Sequence, residues 1–445
     1  MTPDGTSHDL TEAVVGAGVS GCSSARFLRQ VFGSGVPIDV YESESVGGTM
    51  ATAWLNGQEY EMGEEVCPEP GSEGEEVVFE ESKWFLVNIV KLLWRYGLDY
   101  IRTKGWLDAH MHNFLKIYQL QARAQCSRSA ERLLQEAGGL DLAQLTQLSI
   151  SDALREVGIG QLFLDEMVTP IVRLTYGQDT NVSAFAGMMA LTAVHSDLWA
   201  VEGGNKLLCS GLLYSAKVNL IKGKVTAITS KRRLLRTGEE LLLYELSYED
   251  GPGHGYGLYD IVVVTAGEIS GSGGPTVRRQ PRVVTLVDGC LNTSSFGRHS
   301  PDSLPDSLIL TASRSPTTVM ATMVTRGVRS LPDPLPQPPC ARTWRLLSAE
   351  PLTRETLDHL FPSVRAVRQS RWLSGVPNPI AVQRHPSFAV HGHLYRLSPS
   401  EGATGTAELA VIWAQNAAML AHRRWHRGSE REGRSVPRGS LRLEL

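Results

Sequence analysis

Apolar and polar positions change period several times along the chain, and each change marks an element. The short apolar run Ala13–Val15 stops at a glycine turn. Behind it, Ala25, Leu28, Val31 and Phe32 recur at helical spacing. After Gly33-Ser34-Gly35 the run PIDVYE reads as a strand ending on Glu42. Strand, helix and strand in such short order predict parallel pairing with a right-handed crossover. From Ser82 to Leu120, Trp, Phe, Tyr and Leu interleave with Lys, Arg and Asp, a helical pattern with Gly97 and Gly105 as punctuation. More helix is expected over Ser129 to Val157 and Gln161 to Val172. Strand signals return at Val218 to Ile228 and Leu241 to Tyr248, joined by a basic turn at Lys231-Arg232-Arg233, and again at Leu258 to Gly267. Gly267 to Gly274 reads as a loop, and Leu331 to Pro339 as a Pro-rich linker. A last helix, from about Ala407 to Trp425, offers Leu409, Ile412, Trp413, Leu420 and Ala421 for packing.

A chain of 445 residues is too long for one simple core and implies interleaved domains. With 42% apolar and 20% charged residues it is too apolar to be disordered. A net charge of −4 argues against nucleic acid, because no cationic excess exists to neutralise phosphates. The basic end (Arg423, Arg424, Arg427, Arg431, Arg434, Arg438) is interrupted by Glu430 and Glu432 and reads as a solvated tail. Six cysteines, at 22, 67, 126, 209, 290 and 340, form no Cys-x-x-Cys pair, which fits buried thiols or at most a chance disulfide and excludes a zinc knuckle. No apolar run is long enough for a spanning helix. No basic segment followed by an apolar core opens the chain, so no secretory signal is visible. Two sequons, Asn181-Val-Ser and Asn292-Thr-Ser, are present.

Gly16-Ala-Gly18-Val-Ser-Gly21 fits G-x-G-x-x-G, with a strand before it, a helix after it and an acid, Glu42, closing the next strand. Gly16 permits the tight turn. Gly18 lets backbone approach a pyrophosphate, and Gly21 lets the helix pack on the strand. The N–H groups and positive dipole end of that helix favour a diphosphate, and Glu42 is placed to accept hydrogen bonds from ribose hydroxyls. The bland alternative is a tight turn with no cofactor behind it.

A second pair, Gly47-Gly48, follows the acid, as in flavoproteins resembling amine oxidases, and favours FAD over NAD. In that group an arginine follows the pair; here the residue is Thr49. Tyr259 to Gly267 resembles the strand that returns such a chain to its FAD domain. The expected fold is therefore α/β, a Rossmann-like FAD-binding domain of the two-dinucleotide, amine-oxidase-like kind with an inserted substrate domain of helices and mixed sheet. The expected division is a βαβ unit at 10–66, a mainly helical substrate region at 76–200, and a return to the FAD domain with a β segment at 201–270. A substrate domain with the Pro-rich loop at 280–398, an FAD-domain helix at 399–427 and a tail at 428–445 complete it.

Phe79 to Gly97, Leu174 to Gly187 and Leu198 to Leu213 resemble the prenylcysteine oxidase family, as do VYESESVGGTMAT and AAMLAHRRW. The resemblance implies an FAD-dependent, lysosomal, glycosylated oxidase that releases cysteine, an isoprenoid aldehyde and hydrogen peroxide from farnesyl- or geranylgeranyl-cysteine, using O2. It adds Glu202, Gly203, Gly204 and Glu401 to Gly16, Gly18, Gly21, Glu42, Gly47 and Gly48 as candidate cofactor-binding residues. It assigns no catalytic side chain and no metal, since the chemistry is carried by the flavin. Trp84, Phe85, Trp94, Tyr96, Trp106, Phe114 and Tyr118 are candidates to line a prenyl slot. Two alternatives stay open: a catalytically impaired flavin-binding relative, and a flavin oxidase of another apolar amine or thioether.

Overall fold

The computed structural model describes residues 10–62, 85–193, 200–234, 240–266, 269–272, 280–292, 309–310, 319–325, 327–329, 340–374, 387–397 and 406–431. Its organising element is a six-stranded sheet. Strand β1 (Glu12–Val15) lies between β2 (Ile38–Glu42) and the strand Ile261–Val264, parallel to both, with Ala13 opposite Asp39 on one side and Val262 on the other. Asn219–Lys222 extends the sheet beyond β2. Leu394–Arg396 and Ala389–His391 extend it beyond Ile261–Val264.

Alternation along β1 buries both faces, as a central parallel strand requires. Val14, with Val40 and Val263, faces helix α1 (Val19–Phe32), which packs against the helices Lys206–Ala216 and Ala407–Arg431. Ala13 and Val15, with Tyr41, Val262 and Val264, face the opposite way, onto an antiparallel layer of Lys224–Leu234, Glu240–Asp250 and Gly253–Tyr259. Helices between Phe85 and Ala193 build a further layer around Phe114, Phe163 and Phe185. A five-stranded antiparallel sheet has Arg342–Ser348 at its centre and Gln280–Cys290 beside it, the latter pairing Val283 with Ser348 on one side and Arg371 on the other. The hairpin of β3 (Thr52–Leu55) and β4 (Gln58–Glu61) turns through Asn56-Gly57, both at positive φ, the preferred tight hairpin turn. Its Ala53, Leu55 and Tyr60 pack on Val284, Leu286 and Leu347 of the five-stranded sheet.

The parallel βαβ core, the helical stretch and the late helix agree with the sequence pattern. Other expectations are corrected. Gly97 does end a helix, at a φ of +60°, but Gly105 sits inside Asp99–Phe114, where a Cβ would meet nothing. Lys231, Arg232 and Arg233 belong to the strand Lys224–Leu234 and pair with Leu243, Leu242 and Leu241, so they do not form the turn. Ala389–His391 and Leu394–Arg396 join the six-stranded sheet instead of staying with 280–374. Cys22 and Cys209 are buried thiols, whereas Cys290 and Cys340 form a disulfide. The Pro-rich segment and the tail beyond 431 lie outside the described residues.

At the start of β1 the Glu12 side chain is fully buried, and neither carboxylate oxygen has a hydrogen-bond partner. Burial pushes its pKa up to about 8, against the pull of Arg29 and with a smaller push from Asp260. Folded Glu12 therefore keeps a proton that the unfolded chain releases above about 4.5, so its contribution to stability is lost as pH rises toward 8. Half-buried His393 and His422, both held down to about 4 chiefly by desolvation, act with the opposite sign: their contribution is lost as pH falls from 6.5 to 4. Between 6.5 and 8 the loss belongs to Glu12 among these three. Glu12→Gln is expected to flatten the stability curve there, where the parent loses on the order of 2 kcal/mol. Urea unfolding across that range tests this, and parallel slopes for the two proteins would refute it.

Candidate functional site

The glycine turn sits at the carboxyl end of β1. Gly16 has a φ of +100° and donates its N–H to the Tyr41 carbonyl at 2.8 Å. A Cβ there would stand 2.8 Å from Thr265 Oγ1 and 2.9 Å from the Ala266 Cβ. One at Gly21 would stand 1.8 Å from the Gly16 carbonyl oxygen, so both positions are closed to any side chain by the fold itself. Gly18 differs. Its backbone is extended, and a Cβ would meet only Gly48 Cα at 3.8 Å and the Gly47 oxygen at 4.0 Å. The contacts of the fold do not themselves demand glycine at 18, and its bareness leaves space for a group approaching from outside. No side chain caps the start of α1, leaving its first-turn N–H groups and positive dipole end for an anion.

Glu42, at the end of β2, turns toward this loop. Its Oε2 accepts from the Ala17 N–H at 2.7 Å and its Oε1 from the Glu44 N–H at 2.9 Å. Each carboxylate oxygen keeps a further acceptor site, so the half-buried group holds the glycine loop and still offers lone pairs to a sugar. The hold on the loop is not foreseen in the sequence. Gly47 and Gly48, at φ of +124° and +57°, close over the same spot. The Gly47 N–H donates to the Ala17 carbonyl at 2.9 Å, and a Cβ on Gly48 would come within 3.1 Å of Gly18 Cα.

The segment Glu202 to Lys206 meets this cradle from the other side. A Cβ on Gly47 would lie 3.1 Å from the Lys206 Cβ. Gly203 and Gly204 also take positive φ, and a Cβ on Gly204 would touch Thr52 Cγ2 at 3.0 Å. Buried Glu61 accepts the Asn205 N–H through Oε1 at 2.6 Å. The Lys206 ammonium donates to Thr52 Oγ1 at 2.8 Å and to the Glu59 carboxylate, which these bonds hold below the usual carboxylate range. Thus Gly16, Gly18, Gly21, Glu42, Gly47, Gly48, Gly203 and Gly204 share one neighbourhood. The Glu202 side chain is exposed, and Glu401 lies outside the described residues. Thr52, Glu59, Glu61 and Thr265 were not anticipated, nor was the pairing of Lys206 with Glu59 and Thr52. The alternation of β3 and β4 was the one signal for them, because Glu59 and Glu61 sit on the same side of a strand.

The aromatic slot does not assemble as expected. Tyr96 packs edge-on to Phe163 at 5.3 Å and Phe114 lies 5.9 Å from Phe185, both as ordinary core. Trp106 stacks on His110, Tyr118 donates to Glu408, and Trp94 is 92% exposed. The side chains of Trp84 and Phe85 lie outside the described residues. Among the described residues no group of three or more His, Cys, Asp or Glu is placed to hold a metal, and His393 is half-buried, its main-chain N–H donating to Tyr244 Oη at 3.1 Å. His195 lies outside the described residues. The arrangement is suited to binding a dinucleotide by its phosphates and one sugar.

Comparison with known proteins agrees with this geometry. Residues 14–71 match the NAD(P)-binding Rossmann-like domain, and residues 79–432 match the prenylcysteine lyase family. Prenylcysteine oxidase 1 of Mus musculus is 35% identical over 93% of this chain and 89% of its own length. Prenylcysteine oxidase 1-like of Homo sapiens is 35% identical over 93% and 90%. The cyclohexylamine oxidase of Brevibacterium oxydans, at 13% identity, superposes with a TM-score of 0.51 over 94% of this chain and all of its own, a likeness of fold alone. With both its nucleotide-binding start and its long remainder accounted for, the chain belongs to the prenylcysteine lyase family.

Proposed function

We propose that this chain is an FAD-dependent oxidase that cleaves the thioether of farnesyl- or geranylgeranyl-cysteine. The observation that carries the reading is the bare Gly18 at an uncapped helix start, in a chain collinear with prenylcysteine oxidases over 93% of its length. The second glycine pair supports FAD over a nicotinamide cofactor. In net terms the carbon next to sulfur is oxidised by two electrons. Water supplies the aldehyde oxygen, the C–S bond breaks with a proton left on the cysteine sulfur, and O2 is reduced to H2O2.

FAD, when bound, supplies the two-electron acceptor. Gly16, Gly18 and Gly21 with the first turn of α1 would hold its diphosphate, and Glu42 its ribose. Gly47, Gly48, Gly203 and Gly204 leave room beside them. The chain's own part in the chemistry is to orient the carbon next to sulfur and to keep out bulk solvent while admitting the one water that is consumed, with no positioned acid or base required of it. Lysosomal delivery belongs to the same proposal. The Cys290–Cys340 disulfide supports an oxidising route to that compartment, and the exposed Asn181 of one sequon supports glycosylation on the way.

Two glycine variants separate cofactor binding from folding. Gly18→Val is expected to leave the melting temperature of the cofactor-free protein nearly unchanged while flavin retention falls on the order of tenfold or more. Gly21→Ala is expected to destabilise the fold by about 1–3 kcal/mol through forced overlap. Full yellow occupancy in Gly18→Val would show that the phosphate cradle lies elsewhere.

The purified protein is expected to show the absorbance of oxidised flavin and to release peroxide and free cysteine in equal amounts from farnesylcysteine. Yellow protein without peroxide would instead indicate a binding relative, and peroxide from amines alone a different apolar substrate.

A further inference from the structure

We infer that the corner joining the helices Phe85–Tyr96 and Asp99–Phe114 docks on an anionic lipid bilayer. This surface function goes beyond the reaction proposed above and does not depend on it. On the first helix Leu92 and Tyr96 are buried, the Tyr96 ring lying against Phe163. Val90 and Trp94 fall two residues away from these, about 200° around the helix. They are 64% and 92% exposed. The helix is therefore apolar on two opposite faces, and only one of them packs. Beyond the Gly97 turn, Leu98 and Ile101 continue the bare strip at 55% and 52% exposure. An amphipathic surface helix ordinarily turns charge outward.

The flanking charge says what covers the strip. Lys91, Arg95, Arg102 and Lys104 are exposed around it, and Asp99 is the one acid between Val90 and Lys104. Arg95 is paired with Glu166 at 2.7 Å and Arg102 approaches Asp99 at 3.7 Å. Against these four cations stand Asp99, Glu166 and the exposed Asp108, so the described groups around the strip keep a small cationic excess although the whole chain carries −4. An indole standing clear of the surface, beside aliphatic side chains and a ring of Lys and Arg, suits the headgroup boundary, where Trp buries its ring and the cations meet anionic lipid. Among the described residues no helix is long and apolar enough to cross a membrane, so the mode is attachment along the surface.

Co-sedimentation of the full chain, as purified, with phosphatidylcholine vesicles with and without phosphatidylserine tests the proposal. Binding is expected to the vesicles containing phosphatidylserine and to weaken in high salt. It is expected to fall on the order of tenfold or more in Trp94→Glu, with Ile101→Glu on the neighbouring helix acting in the same direction. The melting temperature should not change, since both side chains face solvent. Failure of the parent to bind, or equal binding by parent and variants, would overturn the proposal. So would a parent dimer that Trp94→Glu converts to monomer without any vesicle binding, which would assign the strip to a second copy of the chain.

Discussion

The structure depends on one close approach. The Gly21 Cα meets the Gly16 carbonyl so tightly that a Cβ would sit 1.8 Å from its oxygen. That contact brings the first turn of α1 directly over the end of β1. The same helix can then bury Cys22, Ala25 and Leu28 on the sheet and point its uncapped N-terminus at the sheet's carboxyl edge. Structural packing and anion binding thus come from one placement of one helix. Cys22, donating to the Ala17 carbonyl at 3.2 Å, is buried beneath the loop and stiffens it from below.

A second constraint ties this cradle to the rest of the chain. The β3–β4 hairpin leaves the Gly47-Gly48 turn and lays Ala53, Leu55 and Tyr60 on the antiparallel sheet. Its polar side chains reach the other way, Glu61 to the Asn205 N–H and Glu59 to Lys206. The hairpin therefore links the five-stranded sheet to the glycine turns by direct contact on both of its faces. The Lys206–Glu59 pair is only partly screened, with side-chain exposures of 32% and 13%, so its value lies in register more than in net stability.

What the sequence disclosed followed from how local each signal was. Gly16 to Glu42 carries its own context within one βαβ unit, so the loop and helix were readable without knowledge of distant residues. Glu42 was legible as an acid at a strand end. Its bonds to Ala17 and Glu44 were not, because side-chain direction at a strand end depends on the loop's final shape. Lys206 and Glu59 are far apart in sequence, and no periodicity links a helix start to a hairpin. Aromatic spacing misled for the opposite reason: helical periodicity identifies a face but not what lies opposite it, so Tyr96 and Phe114 became core while Trp94 met water. The basic run at Lys231 looked like a turn because charge marks exposure, and an exposed strand extension is charged too.

Thr49 bears on how the cradle holds an anion at all. The related flavoproteins have an arginine after this glycine pair, and here the position is an exposed threonine. Lys206 is the cation brought against Gly47, yet its ammonium is engaged by Glu59 and Thr52, so the pair presents little net charge. A phosphate at this loop would be met by main-chain N–H groups and the helix dipole, which act through backbone geometry, with the Arg329 guanidinium beside Gly203 as a further cation. Backbone geometry in turn is set by which positions lack a Cβ. A site built in that way tolerates wide change in the surrounding side chains while Gly16, Gly18, Gly21 and Gly48 stay bare. Replacing a cation near it shifts affinity by degrees, whereas placing a side chain inside it removes the site.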